Sequence, residues 1–163
     1  MYMPASYQGA TEDYKNLLNG VQLWDVGVER QVQIKGPDAE ALSQFLTPRN
    51  IKKCSKGQAM YAPLLDFKGG FINDPVMLKI DEDCYWFSLA DGDALLWVQA
   101  IAAGYKFNAD VHEPDVSPLQ VQGPNSTKLM VKVFGDWMND LGFYKFKEVN
   151  HERIPMVIAR MGY

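Results

Sequence analysis

The chain has 163 residues, 47% of them hydrophobic, with 16 Lys and Arg against 20 Asp and Glu for a formal charge of -4. Those proportions suit a folded domain with a substantial core and exclude a disordered chain, and a net negative sequence without a basic run is unsuited to binding nucleic acid. The longest apolar stretches are too short to span a bilayer, and Met1-Tyr2-Met3-Pro4 lacks the basic start and apolar block of a signal peptide, so a soluble cytoplasmic protein without membrane contact is expected.

In chain order, Thr11 and Gly20 bracket a helix over 12–19, and strands follow at 21–26 and 30–35. Gly36-Pro37 opens a helix running to Leu46. Segments 58–66 and 71–80 form a hairpin around Lys68-Gly69-Gly70, because glycine takes the positive φ values that tight turns need. A strand at 84–89 precedes a helix over 92–103, capped by Asp91 and ended by Gly104. Strands at 106–112 and 118–122, a helix at 125–134, and a final hairpin of 143–149 with 154–160 around Asn150-His151 complete the pattern. Hairpins outnumber parallel crossovers, so the expected fold class is α+β, with mostly antiparallel sheets and flanking helices.

Two stretches echo each other. Val32-Gln33-Ile34-Lys35-Gly36-Pro37-Asp38-Ala39 is matched by Leu119-Gln120-Val121-Gln122-Gly123-Pro124-Asn125-Ser126. Each copy reads as a strand, a Gly-Pro turn and a helix. Proline suits the first helical turn because its missing N–H would be unpaired there anyway, and Asp38 or Asn125 adds a polar group at the helix start. One glycine per turn is a weak phosphate signal, so both turns are read as scaffold.

The most informative segment is Ile72-Asn73-Asp74-Pro75-Val76, which sets a carboxylate and a proline inside an apolar strand. Pro75 cannot donate to a ladder and biases Asp74 toward an extended conformation, so pairing is expected to break or bulge beside the carboxylate. On the hairpin alone, an edge strand with Asp74 in water accounts for the pattern as well. Cys54 and Cys84 lack C-x-x-C spacing and His112 and His151 stand alone, so neither a metal site nor a Cys-His nucleophile is expected. Among the tryptophans, Trp86 and Trp97 read as core residues, whereas Trp137 follows Gly135-Asp136 outside the helix at 125–134.

Taken together, Val21-Gln22-Leu23-Trp24-Asp25-Val26, Glu29-Arg30-Gln31-Val32, Gly36-Pro37-Asp38-Ala39, Leu46-Thr47-Pro48-Arg49-Asn50, Ile72-Asn73-Asp74-Pro75-Val76, Val121-Gln122-Gly123-Pro124 and Ile158-Ala159-Arg160-Met161-Gly162-Tyr163 resemble the folate-dependent aminomethyltransferase superfamily, which includes the glycine-cleavage T-protein. The Glu-Arg-Gln-Val, Thr-Pro-Arg-Asn and Ile-Asn-Asp-Pro runs are most similar to the dimethylsulfoniopropionate demethylases within it. The resemblance implies that 1–163 is a folate-binding region of a longer protein, a fragment without its β-rich C-terminal domain and inactive alone as a catalyst.

The resemblance also implies tetrahydrofolate as cofactor, a small-molecule sulfonium or aminomethyl donor as partner, and a homodimer as a further expectation. Carried over by position, Asp74 is the catalytic residue, set against the reduced pterin nitrogens to orient N5 and manage the proton it sheds. Tyr61, Asn73, Ser88, Arg160 and Tyr163 match cofactor-binding positions, and Trp137 is the candidate for the cationic substrate. Ser88 matches the demethylases where T-proteins carry asparagine. Tyr163 instead matches the Arg-x-Gly-Tyr of T-proteins. Methyl transfer from a sulfonium leads, with aminomethyl transfer and a non-catalytic folate-binding role as alternatives.

Overall fold

The computed structural model describes residues 4–90 and 92–161; Asp91, expected to cap a helix, and Tyr163, expected at the folate, lie outside them. The chain begins with α1 (Ala10–Asn19), β1 (Gln22–Asp25), β2 (Gln31–Lys35) and α2 (Ala39–Leu46), followed by a 3₁₀ turn at Ile51–Lys53. The central hairpins comprise β3 (Gln58–Tyr61), β4 (Leu64–Leu65), β5 (Phe71–Asn73), β6 (Val76–Asp81) and β7 (Cys84–Ser88). Then come α3 (Leu95–Gly104), β8 (Asp110–His112), β9 (Leu119–Gln122), α4 (Ser126–Phe134), α5 (Trp137–Asp140), β10 (Lys145–His151) and β11 (Ile154–Arg160). The α+β class holds, and all paired strands are antiparallel.

These elements gather into two units: residues up to Val26 with Pro118–Leu141, and Gly27–Ser117 with the chain from Gly142 onward. In the first, β1 pairs with β9 from Gln22↔Gln122 to Asp25↔Leu119, beside α1, α4 and α5. In the second, a sheet of order β11-β10-β3-β6-β7-β2-β8 carries α2 and α3. Val32, Ile34, Met77, Tyr85 and Phe87 from the sheet pack with Leu42, Leu46, Val98 and Ile101 from the helices. Alternate residues of the same strands, Ala59, Leu78 and the half-buried Trp86, face the other way, with Phe146, Val157 and Ala159. A central strand buried on both sides accounts for the near-continuous apolar run of Val76–Ile80. Among the described residues no helix is long and apolar enough to cross a membrane.

The repeated strand–Gly-Pro–helix unit supplies one copy to each of the two units, and each copy anchors a second strand in the same way. Gly36 takes φ 136° and Gly123 φ 124°, and their carbonyls accept the N–H of Ala39 and Ser126, both at 3.0 Å. Asp38 N–H donates to Asn108 O just before β8, and Asn125 N–H to Gly20 O just before β1. Neither Asp38 nor Asn125 caps its helix through its side chain. Asp38 Oδ2 instead accepts Asn108 N–H at 2.7 Å, and Asn125 Nδ2 donates to Asn19 O at 3.3 Å. The side chain thus ties the helix start to the incoming partner strand.

Several expected boundaries shift. Helix α1 starts at Ala10 with Gly9 rather than Thr11 at its cap, and Asp13 reaches back to accept the N–H groups of Tyr7 and Gln8. Helix α3 starts at Leu95, where Asp93 accepts the backbone N–H. The last hairpin turns at Glu152-Arg153, with φ 50° and 71°, not at Asn150-His151. Its two-residue connection demands positive φ at both positions, which asparagine favours but the register assigns elsewhere. Trp137 lies beyond the end of α4 at Phe134, as expected, and begins a short helix of its own, α5.

Candidate functional site

Asp74 occupies a break in the central hairpin. The returning strand, read over 71–80 with a break or bulge beside Asp74, splits into β5, paired with β4, and β6, paired with β3. Proline stands on each side of the break, at Pro63 and Pro75, and neither can donate a ladder hydrogen bond. Ala62 N–H to Pro75 O, at 3.0 Å, is the bond that bridges it. The expected break beside the carboxylate is present; β6 lies between β3 and β7 and is no edge strand, whereas β5 pairs with β4 alone and Asp74 after it is exposed.

This interruption orients three consecutive side chains differently. Asn73 is 6% exposed, Pro75 is fully buried, and Asp74 between them is exposed. Asn73 Oδ1 accepts the N–H of Ala90 at 3.1 Å, which ties the end of β5 to the chain just past β7. A solvent-facing carboxylate is therefore held between two anchored neighbours.

Ser88 stands on β7 opposite Val76, two residues beyond Asp74, and Tyr61 stands on β3 opposite the same Val76. Paired residues of an antiparallel ladder point to one face, so Tyr61, Val76, Ser88 and Gln31 form a row across β3, β6, β7 and β2 on the face away from α2 and α3. Tyr61 is 40% exposed, which a pure core role does not require. Gln31 donates from Nε2 to Ser88 Oγ at 3.0 Å. Beside it, burial pushes the Glu29 carboxyl above its ordinary value.

On the same face, Trp86 donates its indole N–H to Gln33 Oε1 at 2.7 Å, Gln33 Nε2 lies 3.2 Å from His112 Nε2, and His112 Nδ1 lies 2.5 Å from Asp110 Oδ2. This chain of polar contacts was not expected of His112. Gln31 and Gln33 alternate with Val32 and Ile34, a spacing that reads as the solvent side of a half-buried strand.

The other predicted residues lie elsewhere. Arg160 ends β11 in register with Lys145, which is itself paired with Gln58. It is thus two strands across and three positions along from Tyr61. Trp137 belongs to the first unit, where its indole N–H donates to Phe134 O at 2.7 Å and closes the end of α4. In the second unit, a groove of about 220 Å³ lined by Phe45, Pro48, Leu65, Phe67 and Trp97 does not include Asp74, Ser88 or Tyr61. Among the described residues no cluster of His, Cys, Asp and Glu could hold a metal ion.

The model for the GCVT N-terminal domain matches residues 1–163. The chain belongs to the GCVT N-terminal domain family. It is 42% identical over 163 residues to dimethylsulfoniopropionate demethylase DmdA of Ruegeria pomeroyi, an alignment covering 100% of this chain and 45% of that protein. It is 27% identical over 165 residues to an aminomethyltransferase of Desulfitobacterium hafniense, covering 99% of this chain and 45% of the relative. The chain therefore spans less than half the length of these curated relatives.

Among solved structures, the glycine cleavage system aminomethyltransferase T from Bartonella henselae superimposes with a TM-score of 0.80 at 21% identity, covering 93% of this chain and 41% of that one. A heterotetrameric sarcosine oxidase from Corynebacterium gives 0.61 at 20% identity, covering 87% and 71%. These likenesses establish the fold of this GCVT N-terminal domain.

Proposed function

We propose that this GCVT N-terminal domain is the folate-binding part of a tetrahydrofolate-dependent transferase that takes a methyl group from a sulfonium such as dimethylsulfoniopropionate. The observation that carries the reading is Asp74, exposed at a break enforced by two prolines and held between the buried Asn73 and Pro75. An accept-only carboxylate fixed in this way suits a ligand rich in N–H donors, and the reduced pterin of tetrahydrofolate is one. When bound, tetrahydrofolate supplies N5 as the methyl acceptor.

The protein's own contribution is positional. Asp74 accepts hydrogen bonds from the pterin N–H groups and stands ready for the proton shed on methylation. Ser88 and Tyr61 stand on the neighbouring strands opposite Val76, two residues beyond it. A sulfonium needs no covalent nucleophile, since its sulfur leaves as a neutral thioether carrying the bonding pair. The higher identity to the demethylase than to the aminomethyltransferase favours the sulfonium donor.

Aminomethyl transfer is the second reading, supported by the aminomethyltransferase relatives. A basic docking surface would suit an acidic carrier partner, and the net charge of -4 weighs against it. The test is to express the gene's full reading frame and incubate the product with tetrahydrofolate and dimethylsulfoniopropionate. Formation of 5-methyltetrahydrofolate supports demethylation. Binding of tetrahydrofolate without product transfers the case to another donor.

A further inference from the structure

Gln31 is placed to control which hydrogen-bonding role Ser88 can play. It faces Ser88 across the β2–β7 ladder and is 8% exposed. Its amide nitrogen makes two contacts, 3.0 Å to Ser88 Oγ and 3.2 Å to the Glu29 carbonyl oxygen. A carbonyl oxygen only accepts, so the end of the amide that faces Glu29 has to be the NH₂. The same nitrogen meets Ser88. Ser88 Oγ is therefore the acceptor of that pair, and among the described residues its hydroxyl proton is donated to no protein group.

We infer that Gln31 is a positioning residue: by occupying an acceptor lone pair of the Ser88 hydroxyl, it turns the hydroxyl proton outward, so that Ser88, opposite Val76 and two ladder positions from Asp74, donates toward an acceptor atom of the bound ligand. The inference rests on the reading of Asp74 and Ser88 as tetrahydrofolate contacts. It adds a polarity to the site. The Asp74 carboxylate accepts and the Ser88 proton is left to donate, so the pair matches a ligand edge that sets an N–H near a carbonyl or ring-nitrogen acceptor, as in a lactam ring. A freely rotating hydroxyl would offer either role and lose part of its binding in becoming fixed.

The experiment is a double-mutant cycle on tetrahydrofolate affinity, measured by titration calorimetry on the product of the full reading frame, with a thermal melt of each variant. Ser88→Ala is expected to weaken binding by about 3- to 10-fold, the worth of one hydrogen bond. Gln31→Leu is expected to weaken it by about 2- to 5-fold, and to add nothing in the Ser88→Ala background. Gln31→Glu replaces the donor by an acceptor, draws the Ser88 proton inward, and is expected to weaken binding as much as Ser88→Ala; it decides the matter should the leucine variant not fold. Equal losses from Gln31→Leu with and without Ser88 overturn the inference and leave the site reading standing. Unchanged affinity in Ser88→Ala overturns both.

Discussion

Asn73 Oδ1 accepts the backbone N–H of Ala90 at 3.1 Å, so the residue before the exposed carboxylate is fastened to the chain that leaves Ser88. With Asn73 6% exposed and Ala90 half-buried, loss of the side-chain oxygen leaves the Ala90 N–H without this partner. Asn73→Ala is expected to lower stability by about 1–3 kcal/mol, read as a shift in the urea midpoint at unchanged m value. Tetrahydrofolate affinity should fall with it, because the peptide that aims Asp74 loses its anchor. A variant with native stability would show that this contact does not hold the break in place.

Asp74→Asn separates charge from shape. The side chain is exposed and at a strand break, so the isostere should leave the melting temperature nearly unchanged. Turnover should drop by about 100-fold or more, the usual scale for losing a positioned proton acceptor. Unchanged turnover would return Asp74 to an ordinary surface role.

Much of this arrangement was legible in the chain, for reasons that differ between residues. The Asn73-Asp74-Pro75 run announced a break because proline's missing N–H is a local property. The Gly-Pro repeats announced matching turns because a proline suited to the first helical turn and a glycine free to turn before it are local properties. Pro63, which completes the break from the opposite strand, and Gln31, which meets Ser88 across a ladder, act through pairing register, and register between distant strands is not written in either segment alone. Trp137 differs again: its position after Gly135-Asp136 is visible in the chain, but the bond from its indole N–H to Phe134 O depends on how the segment turns back at the end of α4. The separation of Arg160 from Tyr61 likewise follows from strand order, which puts β10 between β11 and β3.

Gly36 and Gly69 offer a controlled comparison of two left-handed glycines in one unit. Gly36 sits at φ 136°, and an added Cβ would lie 3.0 Å from Asn108 O and 3.2 Å from Ala109 Cα, both rigid backbone atoms of the segment leading into β8. Gly69, at φ 82° in the hairpin turn, would place the same atom within 4 Å of nothing. Gly69→Ala should therefore cost only the conformational term of about 1–2 kcal/mol, whereas Gly36→Ala should cost that plus a displaced strand start and exceed it by about 1 kcal/mol or more. Chemical denaturation of the two variants side by side tests the ordering, and equal losses would show that the Gly36 turn yields.

The alkaline limb of stability follows from four groups whose shifts share a sign. Burial raises the thiols of Cys54 and Cys84 above their ordinary 9.0 and the phenol of Tyr85 above 10.0. Lys79 is raised above 10.5, chiefly by its hydrogen bond to Glu82, with Nζ 2.7 Å from Oε2. In each case the folded chain holds its proton more tightly than the unfolded one. The stabilisation is complete below the unfolded values and is lost as pH rises from about 9 through the raised folded values, at up to about 1.4 kcal/mol per pH unit for each group in transition. Urea unfolding between pH 7.5 and 10.5 should show this decline. Tyr85→Phe removes one titrating group and should flatten the upper part of the curve, while a slope identical to the unmodified chain would show that the phenol takes no part.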